Sequence, residues 1–249
     1  METRVGLRRR GRSGEWSEIP GCGSRPDWGE TYDRTMSLTS SSPSSSARAP
    51  AWTDAELHNP HASAEKAGKV REMFTAIAGS YDLNNRVHSF WRDQAWRRYA
   101  VKRAGVRAGE SVLDVACGTG DLTQLFARTR AARVVGADFT AKMLDLARDK
   151  QRHEPDGAKG KITYVEADAM TLPFADAEFD VVSIAFGIRN VSDPMKALRE
   201  FRRVLRPGGR LIVLEFDRPS WGPMRVMYDF YCGWVMPRTA TLISGDRSG

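Results

Sequence analysis

An apolar run that ends in a small-residue turn constrains this chain more than any other feature. Val112-Leu113-Asp114-Val115-Ala116 leads into Cys117-Gly118-Thr119-Gly120, and Asp121-Leu122-Thr123 then opens a helix-like stretch. Eighteen residues beyond Gly120, a second apolar run, Arg133-Val134-Val135-Gly136-Ala137, ends in Asp138. This is the layout of a nucleoside-binding β-α-β unit. The glycines let the backbone approach a ligand closely, and the acid at the next strand end can grip ribose hydroxyls. A tight strand–helix turn with no ligand would explain the glycines but not Asp138.

The detail discriminates between nucleosides. A dinucleotide fingerprint reads G-x-G-x-x-G. Here Gly118-Thr119-Gly120 is followed by Asp121-Leu122-Thr123, so the third glycine is absent. Asp121 also stands at the helix start, where a pyrophosphate would seek free N–H groups. S-adenosylmethionine has no phosphate and carries a positive sulfonium, so an acidic, glycine-flanked turn suits it better than NAD.

The rest of the chain alternates strand and helix signals. Lys161 to Glu166 is β-rich, and Phe179 to Phe186 is apolar enough for a strand buried on both faces. Asp193-Pro194 is a helix start, with Asp as N-cap and Pro at the first helical position. Ala197, Leu198, Phe201, Val204 and Leu205 recur at helical spacing. Pro207-Gly208-Gly209 should stop that helix and turn into a strand over Arg210 to Phe216. Such alternation predicts an open α/β fold with ligands at the carboxyl ends of the strands, where Asp114, Gly118, Asp138, Asp168 and Phe186 fall.

Several blocks then occur in order: Asp114 to Asp121, Asp168-Ala169 with Leu172-Pro173-Phe174, Phe186-Gly187-Ile188-Arg189-Asn190, Leu205 to Gly209, and Leu214-Glu215-Phe216. Tyr81-Asp82 with Asn85, Ser89, Phe90 and Trp96 precedes them. From about residue 68 to 247 the chain closely resembles the menaquinone/ubiquinone-biosynthesis C-methyltransferases. The glycine motif is shared by many methyltransferases; the Phe-Gly-Ile-Arg-Asn segment and the Tyr-Asp block are far more specific. The resemblance implies an α/β, Rossmann-like class I methyltransferase sheet with helices on both faces. It implies S-adenosylmethionine as methyl donor and the ring carbon of a polyprenylated quinol as acceptor. Asp114, Gly118, Thr119, Gly120, Asp138, Asp168 and Ala169 are then the expected donor-binding positions. A serine contact of the family falls at Ala185. The resemblance also implies two further strands beyond the match, so the sheet of this chain is expected to lack its last two.

A ring carbon is a poor nucleophile until a neighbouring hydroxyl ionises, and a phenol has a pKa of about 10. A cation beside that oxygen lowers the value and stabilises the oxyanion. Arg189 is the candidate cation, with Asn190 orienting the oxygen; the bland alternative is a salt-bridging surface arginine. Arg189 is not itself the base, since its own pKa exceeds about 12. His88, Asp82, Asp93 and Tyr81 are candidates for that role, though many family members carry histidine where Asp93 stands. Placement of donor and acceptor in line supplies much of the rate without a base.

Upstream, Lys69 to Ala78 and Val87 to Ala104 read as two amphipathic helices, either a lid over the acceptor or a cover for the sheet. Trp221 to Pro237 is the most aromatic stretch; it suits either a prenyl groove or an ordinary core helix, and it is too interrupted to span a bilayer. The chain has 249 residues, 41% of them apolar, and a net charge of +7, which favours a weak attraction to an anionic membrane surface. Its arginine pairs are scattered, so no nucleic-acid partner is expected. Three cysteines, Cys22, Cys117 and Cys232, have neither metal spacing nor a disulfide framework. No metal is expected, and a cytoplasmic location fits, with attachment at the inner membrane face. Residues 1–64 lack apolar periodicity, carry a serine tract at 40–46 and read as a disordered extension. Met36 is an alternative start. Residues 65–249 are the methyltransferase domain, read as C-terminally truncated. Demethylmenaquinol is the preferred substrate; the ubiquinone precursor, or a donor-binding fragment without turnover, are the alternatives.

Overall fold

The computed structural model describes residues 66–239, apart from 218 and 237. The expected extension over 1–64 and the chain end lie outside the described residues. Five parallel strands form the sheet: β1 (Ser111–Val115), β2 (Arg133–Asp138), β3 (Ile162–Glu166), β4 (Phe179–Ala185) and β5 (Leu205–Leu214). Their spatial order is β3-β2-β1-β4-β5. The order reverses between β1 and β4, and a crevice opens there at the carboxyl ends. The α/β, Rossmann-like sheet expected from the sequence is therefore present.

Helices α1 (Lys66–Ile77), α2 (Tyr81–His88), α3 (Arg92–Ala104), α4 (Asp121–Ala127), α5 (Ala141–Gln151), α6 (Asp156–Lys159), α7 (Pro194–Val204) and α8 (Gly222–Phe230) complete the described chain. The central strands read as unbroken apolar runs because both faces are covered. One face packs Val112, Val134 and Val181 against Leu122, Phe126, Leu144 and Ala100. The other packs Leu113, Val135 and Val182 against Ala197, Phe201 and Val204 of α7. Phe126, Phe179 and Phe201 have no exposed surface, and truncating a phenylalanine so enclosed costs about 3–5 kcal/mol.

Local rules hold at α7, where the Asp193 side chain accepts from the Lys196 N–H at 2.9 Å and Pro194 occupies the first turn. Elsewhere the structure departs from the sequence reading. The helix expected over residues 87–104 is broken: α2 ends at His88, and Phe90 and Trp91 take left-handed φ of 51° and 60°. Ser89, which ends α2, ties the two helices together across the break, its hydroxyl accepting from the Asp93 N–H at 3.2 Å. β5 begins at Leu205 and not at Arg210, because Leu205 already pairs with Phe179 across a register shift. The aromatic stretch is α8 followed by a π turn over Tyr231–Val235, and α8 buries none of its residues. Trp221, Val226, Met227, Phe230 and Trp234 are exposed, so it is not a core helix in the described chain. Among the described residues no helix is long and apolar enough to cross a membrane.

Candidate functional site

The site grows from the ends of β1 and β2. In the parallel register Val115 lies beside Ala137, which places Asp138 next to the glycine turn. The Asp138 carboxylate accepts from the Gly118 N–H at 2.8 Å and the Thr140 N–H at 2.9 Å. Burial pushes this carboxyl up, while the two N–H groups and the Thr140 hydroxyl pull it down; the net direction is upward. A carboxylate offers about four acceptor positions, so Asp138 keeps capacity for ligand hydroxyls.

Gly120 has φ of +81°, a conformation that L side chains resist, and the Tyr164 hydroxyl sits where its Cβ would be. The same ring occupies the space of a Gly136 side chain, with Cδ1 and Cε1 2.7 Å from the position of a Cβ. Tyr164 is thus slotted between two glycines beneath the turn. Cys117 is buried and its thiol is held well above the usual range, in keeping with a filler and not a nucleophile.

A cavity open to solvent runs from this turn across the switch point. Gly118, Asp138, Phe139 and Met143 wall one end, and Asp168, Ala169 and Met170 the floor. Ala185, Phe186, Gly187 and Asn190 wall the other end, while Ala67, Phe74 and Tyr81 roof it. Phe74 and Tyr81 pack edge to face at 5.9 Å. The mostly apolar lining with a few convergent polar groups is that of a small-molecule site.

Of the sequence candidates, Gly118, Asp138, Asp168, Ala169 and Asn190 line this cavity; Asp114, Thr119, Gly120 and Arg189 do not. Asp114 is buried beneath the turn, accepting from Thr123 and Ser183 at 2.7 Å each. Burial pushes its carboxyl up to about 6 against those two hydroxyls. The Thr119 hydroxyl donates to Asp82 at 2.6 Å and accepts from Lys150 at 3.2 Å. Asp121 pairs with Lys150 and, at 2.7 Å, with Arg86. Burial alone would raise its carboxyl, but Lys150, Arg97 and Arg86 hold it at about 2. Arg189 is half exposed, bonds Glu215 and lies 5.6 Å over the Phe216 ring.

The arginines read as scattered charge are partly spent inside the fold. Arg97 is buried under Phe186 at 5.3 Å. Arg203 donates to the Leu172 and Phe174 carbonyls as well as to Glu200 and Asp176. His88 has both ring nitrogens engaged, Nδ1 by the Asn84 carbonyl and Nε2 by Thr239, each at 2.8 Å. Sequence reasoning placed Phe74 only on a helix read as a lid or a sheet cover, and missed Phe139 and Met143 as lining residues; Phe139 directly follows Asp138 and was the one with a local signal. It also missed Lys66, whose buried amine donates to the Arg189 and Val191 carbonyls at 3.0 and 2.9 Å.

These residues fit an adenosine-type methyl donor. Asp138 has acceptor positions for ribose, Phe139, Met143 and Met170 give apolar walls, and among the described residues no lysine or arginine lines the cavity to ask for a phosphate. Comparisons with known proteins agree. The profile of the ubiE/COQ5 methyltransferase family matches residues 62–248. The Ubiquinone/menaquinone biosynthesis C-methyltransferase UbiE of Edwardsiella ictaluri is 45% identical over 187 residues, 74% of each chain. The protein of the same name from Escherichia coli O1:K1 is 45% identical over 184 residues, 73% of this chain and 72% of its own. Among solved structures, the [4+2]-cyclase SpnF superposes with a TM-score of 0.54 at 24% identity over 63% of each chain, which shows the fold alone. With its parallel sheet and the cavity at the strand ends, this chain belongs to the ubiE/COQ5 methyltransferase family of S-adenosylmethionine-dependent enzymes.

Proposed function

We propose that this chain methylates a ring carbon of a polyprenylated quinol, with demethylmenaquinol as the preferred acceptor and the ubiquinone precursor as the alternative. One observation carries the reading. A single cavity joins the Asp138 end to Asn190 and the Phe186-Gly187 turn, in a chain 45% identical to proteins named for that reaction.

S-adenosylmethionine supplies an electrophilic methyl group when bound. Asp138 holds the ribose, and Gly118, Asp168 and Ala169 fix the rest of the donor. Asp114, Thr119 and Gly120 act on the donor indirectly, by shaping the turn. Asn190 orients a ring hydroxyl, and Arg189, at the cavity rim, turns from Glu215 to the ring oxygen and favours its ionised form. The hydroxyl proton leaves to solvent at the open side; once the ring carbon has taken the methyl, leaving S-adenosylhomocysteine, that carbon gives up its hydrogen as a proton and the oxygen is reprotonated, which restores the aromatic quinol. Neither ring nitrogen of His88 points to free space, so His88 serves the fold and not proton transfer. The exposed aromatic face of α8 and the charge of +7 suit the prenyl tail and an anionic membrane surface at the inner face.

Transfer of labelled methyl to reduced demethylmenaquinone and to the ubiquinone precursor tests this, with donor binding measured on the same sample. Turnover that falls at least about a hundredfold in Arg189→Met, with donor affinity retained, is the expected result. Donor binding with turnover of neither quinol would reduce the chain to a donor-binding protein.

A further inference from the structure

We propose that Lys150 on α5 and Asp82 on α2 are positioning residues for the methyl donor: with Asp121 they tie the roof to the glycine turn. Neither lines the cavity. The claim rests on the donor occupying that cavity.

The geometry is a closed ring. A lysine amine has three N–H donors, and Lys150 directs one each at Asp82 at 2.8 Å, Thr119 at 3.2 Å and Asp121. Thr119 completes the ring by donating to the other oxygen of Asp82 at 2.6 Å. The Thr119 hydroxyl has one hydrogen, which goes to Asp82, and its lone pairs face Lys150. Three separate elements, α2, the glycine turn and α5, therefore meet at one ammonium.

A second layer extends the tie to α3. Arg86 bridges Asp121 and Asp93, at 2.7 and 2.5 Å, and Gln94 donates to both acids. Asp121 and Asp93 have nearly no exposed side chain, at 9% and 4%. Exposed ion pairs contribute about 0–1 kcal/mol, but a buried acid deprived of its partner is strongly unfavourable. Without Lys150, Asp121 and Asp82 face each other across the turn with one cation fewer. The element free to respond is α2, which is joined by short turns and buries no residue of its own.

The consequence reaches the donor through Tyr81, the neighbour of Asp82. Its Cε1 lies 3.7 Å from the position of a Cβ on Gly118, so the ring covers the donor end of the glycine turn. If the roof shifts, Tyr81 leaves the cavity wall and the turn loses its anchor at Thr119. Apparent donor affinity scales with the fraction of molecules whose roof is closed.

The test is titration calorimetry of S-adenosylmethionine with the wild-type chain, Lys150→Met, Lys150→Arg, Asp82→Asn and the Lys150→Met/Asp82→Asn pair. Thermal unfolding is followed on the same samples. Each of Lys150→Met and Asp82→Asn should weaken donor binding at least about tenfold at a temperature where the protein is folded. Lys150→Arg should recover most of the loss. The pair should bind no more weakly than the worse single change, because both break one ring. If Lys150→Met does not fold, Asp82→Asn, a change of a half-exposed residue on the roof, decides alone. Unchanged affinity with only a lowered melting temperature would overturn the proposal, as would additive losses. Failure of the wild-type chain to bind the donor would bring down the cavity assignment itself.

Discussion

Gly136→Ala is a one-methyl change in the centre of β2, and the slot around Tyr164 fixes what it should do. The new methyl would stand 2.7 Å from Cδ1 and Cε1 of Tyr164 and 3.1 Å from the sulfur of Cys117. Forcing a methyl into a filled core costs about 1–3 kcal/mol. Against this, alanine gains about 0.5–1 kcal/mol over glycine in a strand, from the smaller entropy of the unfolded chain. The net expectation is a loss of up to about 2.5 kcal/mol, or up to roughly 10 °C in Tm for a chain of this size. The displaced ring also presses on Gly120, whose missing side chain it replaces, so donor affinity should fall with stability. The decisive assay is urea unfolding in two backgrounds. In Tyr164→Leu, which removes the ring atoms the methyl would strike, Gly136→Ala should become neutral or stabilising. Equal losses in both backgrounds, within about 0.5 kcal/mol, would refute the slot.

Two further outcomes follow from the buried polar groups. Asp114 has its carboxyl raised from 3.8 to about 6 by burial, so its ionisation opposes folding as pH rises through that interval. Asp114→Asn keeps the shape and removes the charge; its stability relative to wild type should grow between pH 4 and 7 by up to about 3 kcal/mol, read from urea unfolding across pH. A flat difference would remove Asp114 as a titrating group. Lys66→Met takes the amine from the Arg189 and Val191 carbonyls, leaving both with an unmet acceptor. Methyl transfer should fall at least about tenfold through kcat, with donor Kd unchanged and partial recovery in Lys66→Arg; a loss expressed only in donor Kd would contradict this.

What the sequence showed and what it hid divide by distance along the chain. β1, β2, β3 and β4 were readable as apolar runs, and α7 was readable from Asp193-Pro194, because those signals lie within a few residues. Asp138 was readable because a β-α-β unit has a narrow range of lengths. Local pattern also groups Asp114, Thr119 and Asp121 with the ligand, since all three flank the glycine turn. Their side chains are instead engaged by Ser183, Asp82 and Lys150, which are 69, 37 and 29 residues away. No periodicity reports such pairings. The break between α2 and α3 was hidden for another reason: it turns on Phe90 and Trp91 taking left-handed backbone, which neither residue prefers.

That break carries a cost in backbone conformation. A left-handed residue with a Cβ is unfavourable by about 1–2 kcal/mol, and here two stand in succession. Their rings gain little in return, being 74% and 62% exposed. Glycine at either position would relax the backbone and take an aromatic ring out of water. Phe90 and Trp91 therefore hold two largely exposed rings on a left-handed corner between α2 and α3, where relief of the backbone and loss of exposed apolar surface point to the same substitution.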